Sequence, residues 1–332
     1  MDISCAFATS SDTPAHVHVA ETLGYRRAWL YDSPALYPDV WMILTRCAER
    51  TSRIGLGPGV LVPSLRHPMV NAAAIAELAD QAPDRVAVAI GSGFTGRFSL
   101  GKRPMPWRQV AEYVRCLKAL LAGETGEWDG AKIRMMHLPG FGMKRPVRVP
   151  ILIGADGPKG LAVAAELADG VFSAAVPQPD AVNVADWRAL LSFGTVLDEG
   201  EELTSPRVVD AVASGAVVMY HALYERGGGA AAVDALPGGR GWREAVEAHP
   251  ENERHLAIHE GHLVKANPRD EPYVADLIPL ASAAALTGTA EQVSVRVGEL
   301  AALGVTELVY QPAGSDIERE LRAFASATGL NG

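Results

Sequence analysis

The sequence predicts an α/β protein built as a (β/α)8 TIM barrel, and three observations predict it. Short apolar stretches alternate with helical stretches eight times, a pattern that implies parallel strands closing on themselves. The chain has 332 residues, 48% of them hydrophobic, enough to bury the core of one such barrel. Glycine-rich loops follow several of the strands, at the end where barrel enzymes keep their sites.

Taken in order, Ile3 to Ala8 is a short apolar strand, and Ser10 to Pro14 supplies turn and cap chemistry for a helix from Ala15 to Leu23. Arg27 to Tyr31 is the second strand and ends in Asp32 and Ser33. Val40 to Arg50 is helical. Ile54 to Pro63 is the third strand, because Ile54, Leu56, Val60 and Val62 recur at every second position. Its alternate positions Gly55, Gly57 and Gly59 carry no side chain, so either another backbone crowds this face or a flat ligand approaches it. A helix begins at Arg66 to Met69, with Pro68 in its first turn, and runs to Ala79. Arg85 to Ile90 is the fourth strand, followed by a helix from Trp107 to Leu121 and a small hairpin between Gly126 and Pro139. Pro150 to Gly154 and Gly170 to Ser173 are the fifth and sixth strands, with a helix from Lys159 to Ala168 between them. Ala181 to Asp198 reads as helix, Arg207 to Ala213 as the seventh strand and Ala216 to Arg226 as its helix. Thr289 to Leu303 is helical, Glu307 to Gln311 is the last strand, and Ser315 to Thr328 closes the chain. Residues 227–287 interrupt the repeat after strand 7 as a long insertion near the barrel mouth, within a single domain spanning 1–332.

The net charge is -9, from 30 basic and 39 acidic residues, which argues against a nucleic-acid surface. No apolar run reaches membrane-spanning length, and the N-terminus enters a strand without a basic signal region, so a soluble, cytoplasmic protein is expected. Cys5, Cys47 and Cys116 are odd in number and set in apolar contexts, as expected of reduced core residues.

Two loops carry the candidate chemistry. Gly91, Ser92, Gly93, Phe94 and Thr95 open a G-x-G-x-x-G stretch. With no helix starting at once and no acidic partner about twenty residues on, the dinucleotide fingerprint fails, and a nest of backbone amides for an anion is the alternative. Gly154, Ala155, Asp156 and Gly157 lead directly into a helix, whose first amides attract phosphate, although an ordinary strand-to-helix turn fits as well. Asp32 and Ser33 end a strand at the mouth, either to orient a cofactor and move a proton or to cap the following turn. His255, His259 and His262 are spaced to share a helix face. That spacing suits a metal, yet Gly261 argues against an unbroken helix, so they are read as substrate-pocket or packing residues and no metal ligand is assigned.

The chain resembles the bacterial luciferase-like superfamily, most closely its F420-dependent oxidoreductase branch typified by methylenetetrahydromethanopterin reductase. The resemblance rests on Ala20-Glu-Thr-Leu-Gly-Tyr-Arg-Arg-Ala-Trp-Leu-Tyr-Asp32 and Thr51-Ser-Arg-Ile-Gly-Leu-Gly-Pro-Gly-Val60 with Arg66-His-Pro68. Ile90-Gly-Ser-Gly93, Gly154-Ala-Asp-Gly-Pro158, Ala168-Asp-Gly170, Leu286-Thr-Gly-Thr-Ala290 and Leu303-Gly-Val-Thr-Glu307 extend it. It implies a hydride-transferring oxidoreductase that uses the deazaflavin F420 or, alternatively, FMN as a luciferase-like monooxygenase. It implies a cis peptide at Gly59–Val60 behind the cofactor ring, and phosphate loops at Gly91–Thr95 and Gly154–Gly157. It also implies a small-molecule substrate and, by analogy, a homodimer. The chain departs from many relatives at Ser33, where they carry histidine, and at Phe94, where some related dehydrogenases carry a glutamate proton donor. A sugar-phosphate dehydrogenase using that donor is therefore disfavoured. A metal-dependent barrel hydrolase is the reading from another class, and it requires the three histidines.

Overall fold

The computed structural model describes residues 1–330. The strands are β1 Asp2–Phe7, β2 Arg27–Leu30, β3 Gly55–Pro58, β4 Val88–Gly91, β5 Gly126–Trp128, β6 Ala131–Ile133, β7 Ile151–Gly154, β8 Gly170–Ala174, β9 Trp187–Phe193 and β10 Glu307–Gln311. Eight of them form one parallel sheet in the order β3-β2-β1-β10-β9-β8-β7-β4, and β5 and β6 form the expected hairpin. The sheet closes between β3 and the stretch before and within β4. Leu56 donates to the Arg85 carbonyl at 2.8 Å, Leu61 to Ala89 at 2.7 Å, and Gly91 to Leu61 at 3.0 Å. Closure removes both edges of the eight-stranded sheet, so no barrel strand presents an unpaired ladder to solvent. The expected (β/α)8 barrel is the observed architecture.

The expected order of elements fails in one place. Residues 181–198 were expected as helix, yet after a short turn they hold β9, paired in parallel with β8 on one side and β10 on the other. Trp-Arg-Ala-Leu-Leu-Ser-Phe contains good helix formers, and burial between two strands overrides that preference. The expected strand Arg207–Ala213 is instead the start of α7, Pro206–Arg226. Its buried Val208, Val212, Ala216 and Tyr220 recur every four residues, which is a helix face; the adjacent valines gave the misleading strand signal. A short helix, α4 (Thr95–Phe98), also follows the β4 loop at once, where none was expected.

Two bodies of apolar residues support the site. One lies between the barrel and its surrounding helices and includes buried Ile3, Leu30, Leu44, Ile75, Leu117 and Phe324. Inside the barrel, Trp29 fills the lower half. Its Nε1 donates to Glu307 Oε1 at 2.9 Å, and Trp187 Nε1 donates to Glu307 Oε2 at 2.5 Å. The insertion carries α8 Gly229–Asp234, α9 Gly239–Glu247, α10 Arg254–His259 and α11 Glu271–Ala284. With α7 these helices form a separate core around Tyr220, Trp242 and Leu277. No helix among the described residues is long and apolar enough to cross a membrane. All three cysteines are free and buried, and burial pushes the Cys47 thiol up to about 12, which suits inert packing.

Candidate functional site

The strand C-termini define one end of the barrel, and the glycine face of β3 explains how it is built. The space beside Gly55 is filled by the Arg27 guanidinium, and that beside Gly59 by the Trp29 ring. A Cβ on Gly57 would lie 1.8 Å from the Ala87 carbonyl oxygen, so this glycine permits the close approach that closes the barrel. Most of the bare face is therefore packed against protein. What emerges at the mouth is the next peptide, Gly59–Val60, which is cis. Val60 projects between the ends of β4 and β7: a Cβ on Gly91 would meet its Cγ2 at 2.8 Å, and one on Gly154 its Cγ1 at 2.9 Å. Gly91 and Gly154 were expected in anion-binding loops, the second equally an ordinary strand-to-helix turn; the structure shows that both also make room for Val60.

The β4 loop is polar and unsatisfied. Among the described residues, none accepts a hydrogen bond from the amides of Ser92, Gly93, Phe94, Thr95 or Gly96. Gly93 is buried and has φ 84°, which favours glycine. Ser92, Phe94 and Thr95 are half-buried and Gly96 is buried, and amides so placed without protein partners are open to a ligand or to water. The β7 loop holds a second set: the amides of Asp156 and Gly157 also have no protein acceptor, and α6 (Pro158–Leu167) starts there. Arg226, the last residue of α7, spans the two loops. Its guanidinium lies 4.0 Å over the Phe94 ring and 3.8 Å from Asp156 Oδ2. Sequence reading missed Arg226, because nothing local marks a helix-terminal arginine as facing two distant loops.

Asp32 is buried, and its carboxylate is engaged by protein. It accepts from Arg66 at 2.6 Å and from the Val62 amide at 3.3 Å. Burial pushes its pKa up, and Arg66 opposes that shift. Arg66 also reaches Asp39 at 2.6 Å, so one guanidinium ties the end of β2 to the cap of α2 (Val40–Arg50). Ser33 is buried, with its carbonyl accepting from Leu36 and Tyr37. His67 caps α3 (Pro68–Gln81), its Nδ1 accepting from the Met69 amide at 3.2 Å.

The insertion covers the mouth. Tyr37 Oη donates to the His262 carbonyl at 2.5 Å, and Gln311 Nε2 to that of Leu263 at 3.4 Å. Leu263 packs with the apolar residues lining the barrel interior, alongside Val60. Of the three expected histidines, His259 and His262 come together and His255 does not; its ring lies against Gly101. The third member is His221 of α7, a residue the sequence reading passed over. A cleft of ≈ 1480 Å³ opens at the opposite end, lined by Met1, Asp2, Arg26, Thr306 and Glu307 among others. That is the strand N-terminal face, where barrel chemistry is not found, so the mouth is the better candidate.

Comparison with known proteins shows the family and the fold. The sequence model described as luciferase-like monooxygenase matches residues 8–307, and the chain belongs to that family. It is 35% identical over 159 residues to the 5,10-methylenetetrahydromethanopterin reductase of Archaeoglobus fulgidus, covering 47% of each chain. It is 32% identical over 181 residues to the F420-dependent glucose-6-phosphate dehydrogenase of Beutenbergia cavernae, covering 48% of this chain and 51% of the relative. The chain thus spans about half the length of these curated relatives. The solved F420-dependent tetrahydromethanopterin reductase of Methanopyrus kandleri shares the fold, with a TM-score of 0.66 at 20% identity over 98% of both chains.

Proposed function

We propose that the protein is an oxidoreductase that passes a hydride between the deazaflavin coenzyme F420 and a small organic substrate. One observation carries the reading. A projecting peptide, Gly59–Val60, stands between two loops whose amides lack protein acceptors, with Arg226 spanning both. That set matches a flat ring linked to a phosphate: an apolar rest for one ring face, and donors plus a cation for the anion. When bound, the deazaflavin supplies the hydride chemistry, and the protein supplies position.

In this reading Gly59 and Val60 back the ring, while Ser92 to Thr95, Asp156, Gly157 and Arg226 hold the phosphate. Asp32 serves the ring site indirectly, fixing the Val62 amide and Arg66, and Ser33 offers a hydroxyl beside it. Leu263 excludes water from the open ring face. The names of the relatives support F420 and leave the substrate open. Phe94, where some dehydrogenases carry a proton-donating glutamate, supports a substrate other than a sugar phosphate. The FMN-dependent monooxygenase reading is supported by the family's description and needs the same ring seat. A homodimer is expected by analogy and is checked by sedimentation equilibrium.

Fluorescence titration of the purified protein with F420 and with FMN separates the two readings. F420 is expected to bind at least about tenfold tighter, a difference of ~1.4 kcal/mol. Tighter FMN binding would overturn the leading reading in favour of the second, and binding of neither would remove both.

A further inference from the structure

The insertion gathers three buried imidazoles and a carboxylate that the proposed hydride chemistry does not use. The rings of His221, His259 and His262 form a near-equilateral triangle, with centroids 5.6 Å (His221–His259), 5.1 Å (His221–His262) and 5.2 Å (His259–His262) apart. One nitrogen from each ring lies within 4.8 Å of one from each of the others. Hydrogen bonds satisfy only part of this cluster. His262 Nε2 meets Thr95 Oγ1 at 2.9 Å, and His262 Nδ1 meets His221 Nδ1 at 2.9 Å. His259 Nε2 meets Glu225 Oε1 at 3.0 Å. His221 Nε2, His259 Nδ1 and Glu225 Oε2 are buried without any partner.

Three orphaned polar atoms in one buried cluster carry an uncompensated desolvation penalty. A relay of protons does not remove it, because no hydrogen bond links His259 to the other two rings. The buried Glu225 carboxylate pairs with His259 and forms no salt bridge with an arginine or lysine among the described residues. A cation held by the imidazole nitrogens would give His259 Nδ1 a partner and place positive charge near the Glu225 carboxylate. We infer that His221, His259 and His262 bind a divalent transition ion of the zinc class.

The chemistry of the surroundings suits that ion. Three imidazoles are borderline ligands of the kind zinc takes, with metal–nitrogen distances of ~2.0–2.1 Å. Tetrahedral binding at those distances needs nitrogens about 3.3 Å apart; the His221–His262 pair, at 2.9 Å, opens by a few tenths of an ångström, and the others, within 4.8 Å, close by at most about 1.5 Å. Glu225 on His259 Nε2 and Thr95 on His262 Nε2 are the partners that hold a ligating imidazole in one tautomer. The ion ties α7 to the segment ending in Leu263, and thereby fastens the insertion over the barrel mouth.

The inference is independent of the cofactor, and its test reads the metal directly. Protein stripped with chelator is titrated calorimetrically with Zn2+ and loaded with Co2+ for its visible absorption. One ion per chain and the intense visible bands of four-coordinate Co2+ are expected. His221→Gln is expected to abolish stoichiometric binding, His255→Gln to leave it unchanged, and Glu225→Gln to weaken it about 10- to 100-fold. No uptake of Zn2+ by the stripped wild-type protein overturns the inference, whatever the variants do. So does uptake that His221→Gln and Glu225→Gln leave unchanged, since the ion then binds elsewhere.

Discussion

Glu21 does no chemistry at the mouth, yet it sets where the third strand begins. Its carboxylate accepts from the amides of Ser52 at 2.9 Å, Arg53 at 2.6 Å and Ile54 at 2.9 Å. Burial pushes its pKa up, and the three amides outweigh burial, leaving it below the ordinary carboxylate range. A lowered folded-state pKa means the stabilisation is present above the ordinary range and is lost as pH falls through the lowered value. Glu21→Gln is expected to lower stability at pH 7 by roughly 1–3 kcal/mol and to flatten the acid limb of the stability curve. Urea unfolding at several pH values checks this, and an unchanged midpoint at pH 7 sinks it. At the same scale, Arg226→Ala is expected to weaken F420 binding about 10- to 100-fold, the worth of a charge-assisted contact to phosphate. Its stability should hardly move, because Arg226 is 47% exposed and its bond to Asp156 is weak. An unchanged dissociation constant for F420 removes Arg226 from the site. Glu21 and Arg226 share a reason for being invisible in the sequence: both act on loops more than thirty residues away, and only the closed barrel brings them there.

At the scale of elements, local pattern was a good guide wherever one face of an element stays buried. Helix α2 was expected at its observed bounds, Val40 to Arg50, and its Asp39 cap went unread. It misled where a strand is covered on both sides, as in β9, and where valines line a helix, as in α7. The two errors cancel in number, so the eight-fold count survived while the seventh strand lay some twenty residues earlier than expected. His221 lay in a stretch rightly expected as helix, Ala216 to Arg226, and was passed over because its partner His262 is 41 residues further on. The loops after β4 and β7 were legible because glycine is conspicuous, although half of its purpose here is to admit Val60. That dual use is testable. Gly91→Ala places a methyl 2.8 Å from Val60 Cγ2, which must move, and F420 binding is expected to fall about tenfold, or ~1.4 kcal/mol. Adding Val60→Ala relieves the clash and should restore a large part of the loss. If the double variant binds no better than Gly91→Ala alone, the Val60 contact is not what limits the site.

At the scale of the whole molecule the chain carries two cores of unequal standing. The barrel core is continuous from Ile3 to Phe324 and is sealed by parallel pairing on its eight strands, whereas the smaller insertion core packs α8, α9 and α11 against α7 around Tyr220, Trp242 and Leu277. Opening free energy follows buried apolar contact and protected backbone, so the insertion should open well before the barrel. Leu263 adds to this, since it holds φ 61°, a left-handed conformation that disfavours residues bearing a side chain, while its side chain is packed in the mouth. A segment held by packing in an unfavoured conformation is the natural place for the mouth to open for substrate. Hydrogen exchange measures this hierarchy peptide by peptide. Segments 229–247 and 259–265 are expected to exchange through local opening, and β1, β2 and β10 only through the global transition. Binding of F420 should slow exchange at residues 92–96, whose amides have no protein acceptor, and leave the hairpin of β5 and β6 unaffected. Uniform exchange across both cores would show that insertion and barrel open as one unit, and entry to the mouth would then require more than movement of the segment carrying Leu263.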